Sequence, residues 1–190
     1  MKFENSETLH NLINAFAGES QAVMKYTFYA KQAKKEGHEQ ISAKFEETAN
    51  NEKEHAKLFY KHIPGSEHHL VKAKYPFFQG TTEENLESAS KAEYEEYDII
   101  YKKASQIAIE EGFDDISRLF SNILEIEKRH SHRFGVLLDN LKNGTLYEKA
   151  EQTQWICRKC GNCIISKRAP EKCPVCGHPK GYYEIFTEKF

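Results

Sequence analysis

The sequence has no long apolar run and almost no net charge. No segment approaches the roughly 20 consecutive apolar residues of a membrane-spanning helix, so we expect no membrane association. No apolar stretch follows residues 1–5, MKFEN, so we expect no signal peptide. Lys and Arg number 27 against 29 Asp and Glu, a formal net charge of −2. This near balance predicts no general attraction to nucleic acid.

Cysteine is missing from most of the chain. All five cysteines lie between Cys157 and Cys176. An odd, clustered set with CxxC spacing favours metal binding in a reducing compartment over a disulfide framework, so we expect a cytoplasmic protein. The 190 residues are 39% hydrophobic and 29% charged. This composition is typical of a soluble protein rich in amphipathic helices, and the length suits one domain with a small appendage.

A duplicated motif occupies the N-terminal part of the chain. Glu52 and His55 stand three apart, which places both side chains on one face of an α-helix. The pair returns 75 positions later as Glu127 and His130. Further identities at this offset are Glu36 with Glu111, Gly37 with Gly112, Ile41 with Ile116, Ser42 with Ser117, Phe45 with Phe120 and Lys53 with Lys128. A lone Glu-x-x-His is a weak signal, but two copies at one offset predict a duplicated helix pair.

Apolar residues at helical spacing predict four long helices. We expect them at about 6–36, 39–62, 82–111 and 114–143. A capping box of Thr81 with Glu84 is expected to start the third helix, and Asp114 or Asp115 to cap the fourth. The segment 65–80 is too long for a tight turn. The pattern therefore predicts an all-α four-helix bundle of the ferritin-like type, with this segment as its one long crossover.

Further carboxylates fall on the inward faces of the first and third helices. Glu93 corresponds to Glu19 at an offset of 74, whereas residues farther along return at 75. This slip predicts a π-bulge within the helix pair, near the site. Glu96 follows Glu93 by three positions, and Ala22 stands at the corresponding position of the first half. Glu96 is therefore either an additional ligand or part of a solvated acidic face with Glu95.

Carboxylates and imidazoles aimed into one core require cations. The candidate ligands are Glu19, Glu52, His55, Glu93, Glu96, Glu127 and His130. Buried carboxylates repel one another unless positive charge neutralises them. One Glu from each of two helices, with Glu-x-x-His from the other two, is the ligand set of di-iron and di-manganese bundles. Oxygen and imidazole ligands suit Fe or Mn. Tyr26 and Tyr101 lie one to two turns away, and either donate hydrogen bonds to the carboxylates or pack the core.

Two CxxC pairs form a second candidate metal site. The four cysteines are Cys157, Cys160, Cys173 and Cys176. They predict one tetrahedral site for structural zinc or redox iron, which a module this small needs in order to fold. Cys163 is expected to be free. The polar stretch 145–153 is expected to be a linker between domains 1–144 and 154–190.

The chain resembles the rubrerythrins over essentially its whole length. The matching stretches are 15–21 (AFAGESQ), 51–56 (NEKEHA), 93–97 (EYEEY), 127–130 (EKRH) and 169–179 (APEKCPVCGHP). The extra carboxylate Glu96 fits this family better than the bacterioferritins. One departure is Gly161-Asn162-Cys163, where the family often has an aromatic residue after the glycine.

The resemblance implies a non-haem di-iron peroxidase that acts in oxidative stress defence. It implies two Fe in the bundle and one Fe in the four-cysteine site, where Zn can substitute. Hydrogen peroxide would be reduced to water with electrons relayed through the C-terminal iron. The electron donor would be a rubredoxin or an NAD(P)H-dependent reductase, so that NADH peroxidase activity arises through a partner.

The resemblance also implies a redox-linked movement and an assembly. One iron would move between Glu96 in the oxidised state and His55 in the reduced state. The family forms homodimers in which the small domain of one subunit lies near the di-iron site of the other.

Two alternative functions remain open from the residues. A ferritin-like iron-oxidising or iron-storing protein would use the same bundle without a dedicated electron donor. A binding protein with a structural zinc ribbon would account for the cysteines. Iron in the four-cysteine site, visible as red colour, would argue against the zinc ribbon, and reductant-dependent peroxide consumption would separate a peroxidase from a ferroxidase.

Overall fold

A computed structural model describes residues 2–65 and 68–188 of the chain. The expected crossover and C-terminal module extend outside this description at 66–67 and 189–190. The helices are α1 (Glu7–Lys35), α2 (Glu39–Tyr60), α3 (Thr82–Glu95), a π-helical segment (Glu96–Ile100), α4 (Tyr101–Glu110) and α5 (Asp114–Lys142). The strands are β1 (Glu148–Cys157), β2 (Cys163–Arg168) and β3 (Tyr183–Ile185), and short 3-10 turns cover Phe3–Asn5 and Lys180–Tyr182.

The helices form the predicted four-helix bundle. The α3 helix, the π-helical segment and α4 follow one another without a break, so they act as one long third helix. The α1 helix packs along α2, and α5 packs along both α3 and α4. Ser6 accepts a hydrogen bond from Leu9 N at the start of α1, and Thr81 and Glu84 form the predicted capping box. Within the described ranges, no helix combines the length and apolar character needed to cross a membrane.

Two helix boundaries differ from the predicted ones. The α2 helix ends at Tyr60, two residues early, because the chain tightens there into a turn in which His62 N donates to the Phe59 carbonyl and Ile63 N to the Tyr60 carbonyl. The α5 helix has Phe113 at its N-cap position, and no side chain caps it. Asp114 and Asp115 instead lie in the first turn, where their negative charge interacts favourably with the helix dipole.

The core of the bundle consists of two apolar layers with a polar layer between them. Along α1, Leu12 belongs to one apolar cluster and Tyr26 to the other, and Glu19 lies between them. One layer also contains Phe59, Tyr101 and Phe120, and the other contains Phe45, Leu86 and Phe134. The apolar layers therefore shield the intervening polar side chains from water along the bundle axis.

The crossover between α2 and α3 lies along α1. Asn14 Oδ1 accepts a hydrogen bond from Lys72 N at 3.0 Å, and its carbonyl accepts one from the Tyr75 hydroxyl at 2.8 Å. The Gln21 side-chain amide donates to the Pro76 carbonyl at 2.9 Å. These contacts hold the crossover over the groove between α1 and the third helix.

The C-terminal residues form a three-stranded antiparallel sheet in the order β2-β1-β3. Trp155 on β1 is fully buried and packs with Tyr183. Because β1 begins at Glu148, much of the segment 145–153 is strand, where a linker was expected. Its polar composition concealed the strand, because the sheet is small and none of the side chains from 148 to 153 is buried.

Candidate metal centres

Four glutamates and two histidines meet in the polar layer of the bundle. All six residues are buried, and none is more than 4% exposed. One group consists of Glu19, Glu52, His55 and Glu127, and a second of Glu52, Glu93, Glu127 and His130. In each group, one ligand atom from every residue lies within 4.8 Å of the others. Since the groups share Glu52 and Glu127, the residues would offer ligands to two neighbouring ions.

The two histidines occupy equivalent positions in the two halves of the bundle. His55 Nδ1 lies 2.7 Å from Glu52 Oε2 and 2.8 Å from Glu127 Oε1. His130 Nδ1 lies 2.7 Å from Glu127 Oε2 and 3.1 Å from Glu52 Oε1. The repeat of 75 residues in sequence is therefore also a repeat in space, with an approximate two-fold relation between the halves.

Several buried atoms of this cluster make no well-directed hydrogen bond among the described residues, even where a histidine nitrogen lies 2.7–3.1 Å from a carboxylate oxygen. They are Glu19 Oε2, both oxygens of Glu52, His55 Nδ1, Glu93 Oε2 and Glu127 Oε1. A buried polar group without a partner costs roughly 1–3 kcal/mol, and more when it is charged. Unpaired carboxylate oxygens that face one another therefore indicate a site for cations. The residues fit a pair of divalent ions, and the mixture of oxygen and imidazole donors suits iron or manganese.

Burial and mutual repulsion change the protonation of the cluster. Burial, followed by the neighbouring carboxylates, raises the pKa of Glu19 and of Glu127 well above the usual value. Burial opposes the charge on Glu52 too, but the close His130 and His55 side chains lower its pKa overall. Burial would lower the pKa of His130, but its hydrogen bonds to Glu127 and Glu52 raise that pKa to about 12. Protons therefore balance part of the negative charge, and metal binding would displace them.

Tyr26 and Tyr101 donate hydrogen bonds to carboxylates of the opposite half of the bundle. The Tyr101 hydroxyl donates to Glu19 Oε1 at 2.5 Å, and the Tyr26 hydroxyl donates to Glu93 Oε1. Both tyrosines are buried and also pack in the apolar layers. Burial, followed by the nearby carboxylate, raises the pKa of each phenol well above its ordinary value. Both phenols therefore stay protonated and act as hydrogen-bond donors.

Glu96 lies beside the cluster but outside both ligand groups. It begins the π-helical segment Glu96–Ile100, which confirms the predicted π-bulge. Its side chain is half-buried and lines a cavity of about 270 Å³, together with Lys25 and Tyr75. Burial, followed by repulsion from Glu93, raises the pKa of Glu96 to about 8. Glu96 thus lies where the cavity approaches the cluster of buried carboxylates, and not on a solvated acidic face.

Two residues near the site were not predicted from the sequence. Asn51 Oδ1 lies 3.2 Å from His130 Nε2, where it can fix the orientation of the ring. Lys25 is buried on α1 and lines the same cavity as Glu96. The repeat could not reveal Asn51, because Ile126 stands at the equivalent position of the second half. Its place in the stretch 51–56, NEKEHA, is a signal that could have drawn attention to it.

The four cysteines of the CxxC pairs come together in the small domain. The Sγ atoms of Cys157 and Cys176 are 3.7 Å apart, and those of Cys160 and Cys173 are 3.6 Å apart. A tetrahedral metal with bonds of about 2.3 Å separates its sulfurs by about 3.8 Å, so the spacing fits a metal. The pKa of Cys173 is lowered to about 6, mainly by a hydrogen bond from the Tyr183 side chain. This shift favours the thiolate that a metal requires.

A glycine with positive φ follows each CxxC pair and forms a turn back to the first cysteine of the pair. Gly161, at φ 75°, donates to the Cys157 carbonyl at 2.8 Å, and Gly177, at φ 72°, donates to the Cys173 carbonyl at 2.9 Å. Other residues adopt this backbone conformation only with strain. The fifth thiol, Cys163, is exposed and lies outside the four-sulfur group.

Family models match both parts of the chain. The rubrerythrin model matches residues 10–138, and the model of the rubrerythrin rubredoxin-like domain matches residues 155–184. The rubrerythrin of Porphyromonas gingivalis is 43% identical over 181 residues, which cover 95% of this chain and 90% of that protein. Rubrerythrin-1 of Clostridium acetobutylicum is 43% identical over 191 residues and covers 98% of each chain.

Solved structures share the architecture. Nigerythrin in a mixed-valence state has a TM-score of 0.63 at 30% identity, over 96% of this chain and 90% of that chain. A bacterioferritin of Desulfovibrio desulfuricans has a TM-score of 0.66 at 22% identity, over 73% and 82%, and is similar in fold alone. The two clusters are thus a di-iron carboxylate site candidate and a rubredoxin-like four-cysteine site, consistent with the iron cofactors of the matched family.

Proposed function

The chain belongs to the rubrerythrin family, and we propose that it is a non-haem peroxidase that reduces hydrogen peroxide to water in oxidative stress defence. Family membership and the di-iron site candidate make it an iron-binding oxidoreductase. The observation that supports the proposed peroxidase activity is the presence of two different candidate metal sites in one chain. A store for two electrons together with a one-electron relay suits reductant-driven peroxide reduction, which consumes two electrons per peroxide.

We assign ligand roles to both clusters. The proposed ligands and catalytic residues of the iron pair are Glu19, Glu52, His55, Glu93, Glu96, Glu127 and His130. The proposed ligands of the single iron are Cys157, Cys160, Cys173 and Cys176. When bound, the iron pair would supply the two electrons that cleave the O–O bond, so that one peroxide and two protons give two water molecules.

The protein residues position the cluster and control access to it. Tyr26 and Tyr101 orient two of its carboxylates through hydrogen bonds. The apolar layers on either side exclude water along the bundle axis. The cavity beside Glu96, about 270 Å³ under the crossover, provides a route for a molecule as small as hydrogen peroxide. The site thus combines shielding along the axis with access from one side.

We propose that electrons enter through the four-cysteine site, from a rubredoxin or an NAD(P)H-dependent reductase. Cys160 is exposed, which gives a donor access to this site.

Within one chain, the small domain contacts the start of α2, where Tyr182 interacts with Glu39. Glu39 and Glu52 are separated by about 20 Å of helix. A homodimer that brings a second small domain close to the cluster would shorten this path. Thiolate ligands also support a reducing, cytoplasmic setting.

Anaerobic peroxide turnover combined with metal analysis tests the proposal. We expect iron-loaded protein, supplied with NADH, a reductase and a rubredoxin, to oxidise one NADH for each peroxide consumed. The metal-free chain is the control. Peroxide consumption no faster than this control would contradict the proposal. Rapid iron oxidation by O₂ without reductant-driven peroxide turnover would favour the ferroxidase alternative.

A further inference from the structure

Lys25 is a buried lysine without an ion-pair partner in the described part of the chain. It is 7% exposed, and its Nζ lies 4.9 Å from the centre of the Tyr26 ring. The lysines that form ion pairs in the described ranges have side chains that are between 34% and 71% exposed. Burying an ammonium group is unfavourable unless a negative group compensates it. Lys25 therefore requires a counter-charge nearby.

The cavity that Lys25 lines contains a carboxyl group that supplies this counter-charge when it is ionised. Glu96 lines the same cavity and is half-buried, and its oxygens lie outside both ligand groups. Two other charged residues at the cavity, Lys74 and Glu95, are exposed, so water screens their charges. Burial and Glu93 raise the pKa of Glu96, whereas the Lys25 ammonium acts in the opposite direction. Lys25 and Glu96 are thus the two ionisable groups of this cavity that water screens least.

We propose that Lys25 is a positioning residue for Glu96, and that its ammonium draws the carboxylate toward the cavity in competition with the metal pair. The inference rests on the proposed function, because it takes Glu96 as a ligand of that pair. In a cavity of low dielectric constant, one charge acts on another over several ångströms. Lys25 would therefore decide how readily the Glu96 carboxylate turns inward to the metals.

A double-mutant cycle on metal affinity tests this role without peroxide. Lys25→Met removes the charge and keeps an unbranched apolar stem, and Glu96→Gln removes the carboxylate charge. Co²⁺ is titrated into the metal-free full-length chain, and its absorption in the bundle is recorded apart from the thiolate bands of the cysteine site. Since residues that interact directly couple in such cycles, we expect Lys25→Met to raise Co²⁺ affinity about tenfold. The increase should be clearly smaller when Glu96→Gln is also present.

Controls separate this role from general effects of charge and folding. Lys25→Arg should retain the wild-type affinity, and Lys74→Met, at the exposed edge of the same cavity, should leave it unchanged. If helical circular dichroism shows that Lys25→Met does not fold, Lys25→Gln replaces it in the cycle. Equal increases with and without Glu96→Gln would overturn the proposal, because Lys25 would then act on the metals alone. No increase would overturn it too. Peroxide turnover is measured separately, so failure of the proposed function is distinguishable.

Discussion

The Tyr101 hydroxyl donates a hydrogen bond of 2.5 Å to Oε1 of Glu19, which lies in the other half of the duplicated bundle. Tyr26 donates to Glu93 in the same crossed sense. Hydrogen bonds to ionised carboxylates are shorter and stronger than neutral ones. Each half therefore orients a carboxylate of the other, and the cluster is complete only when both halves pack together.

Replacing Tyr101 by Phe is expected to destabilise the bundle through Glu19. The change removes the donor to Glu19 Oε1 but keeps the aromatic ring in the core. A hydrogen bond to a charged group contributes roughly 1.5–3 kcal/mol, so we expect the free energy of unfolding to fall by about that amount. The measurement is chemical denaturation of the iron-loaded protein, followed by circular dichroism. Tyr29→Phe is the control, because Tyr29 donates to the Phe78 carbonyl. An equal loss in both variants would contradict the account.

Replacing Glu96 by Ala is expected to damage turnover more than iron loading. The six other proposed bundle ligands already form two groups without Glu96, so both ions should still bind. Loss of a residue adjacent to a metal site commonly lowers activity about 10-fold or more, and we expect peroxide turnover to fall on that scale. Iron content and steady-state rate are measured on the same preparation. Glu95→Ala, an exposed neighbour, should change neither quantity. Parallel loss of iron and rate in Glu96→Ala would count against a separate role for Glu96.

Replacing Cys160 by Ser is expected to remove the colour of the small domain. Cys160 is one of the four clustered sulfurs, whereas Cys163 lies outside the cluster. Thiolate-to-iron absorption should therefore disappear in Cys160→Ser and persist in Cys163→Ser. Visible spectra and iron content of the reconstituted proteins give the result. Loss of the bands in Cys163→Ser would show that the ligand set is wrong.

Removing the metals is expected to make the bundle less stable as pH rises. Burial raises the pKa of Glu19 and Glu127, and hydrogen bonds to carboxylates, against burial, raise that of His130 to about 12. Such groups bind more protons in the folded than in the unfolded state. Their contribution to stability is present below the unfolded pKa and is lost as pH rises through the folded pKa. The opposite shift at Glu52 involves one group against three.

Thermal melting of chelator-treated protein between about pH 5 and pH 9 checks this linkage. We expect the melting temperature to fall across that range in the wild-type chain, and to fall less steeply in Glu127→Gln. Saturating divalent metal should abolish the decline, because the ions replace the protons. A metal-free bundle that became more stable with rising pH would refute the electrostatic description of the cluster.

The sequence predicted best where a signal occurred twice. The pair Glu52 and His55 returns as Glu127 and His130, and the structure brings all four together. The one-residue slip between Glu19 and Glu93 correctly placed a π-helical segment, because an inserted residue in a helix shifts every later side chain. Because the motif is duplicated, the residue at each position can be compared with its equivalent in the other half. A single helix offers no such comparison.

Features without a second copy were harder to predict. Asn51 has Ile126 at the equivalent position, so nothing in the repeat distinguishes it. Lys25 lies on a helix where lysine is ordinarily a solvated residue, and its burial depends on the crossover and on the third helix. Strand β1 starts at Glu148 because Glu148 pairs with Arg168 on β2. This long-range contact cannot be inferred from the polarity of the neighbouring residues.

Anomalous diffraction at the iron edge, from crystals of the iron-loaded protein, tests the central claim most directly. The account predicts two iron peaks in the polar layer, both within ligand distance of Glu52 and Glu127, and a third among the four cysteines. A single peak or no peak in the polar layer, with the glutamate oxygens paired only to protein groups, would contradict it.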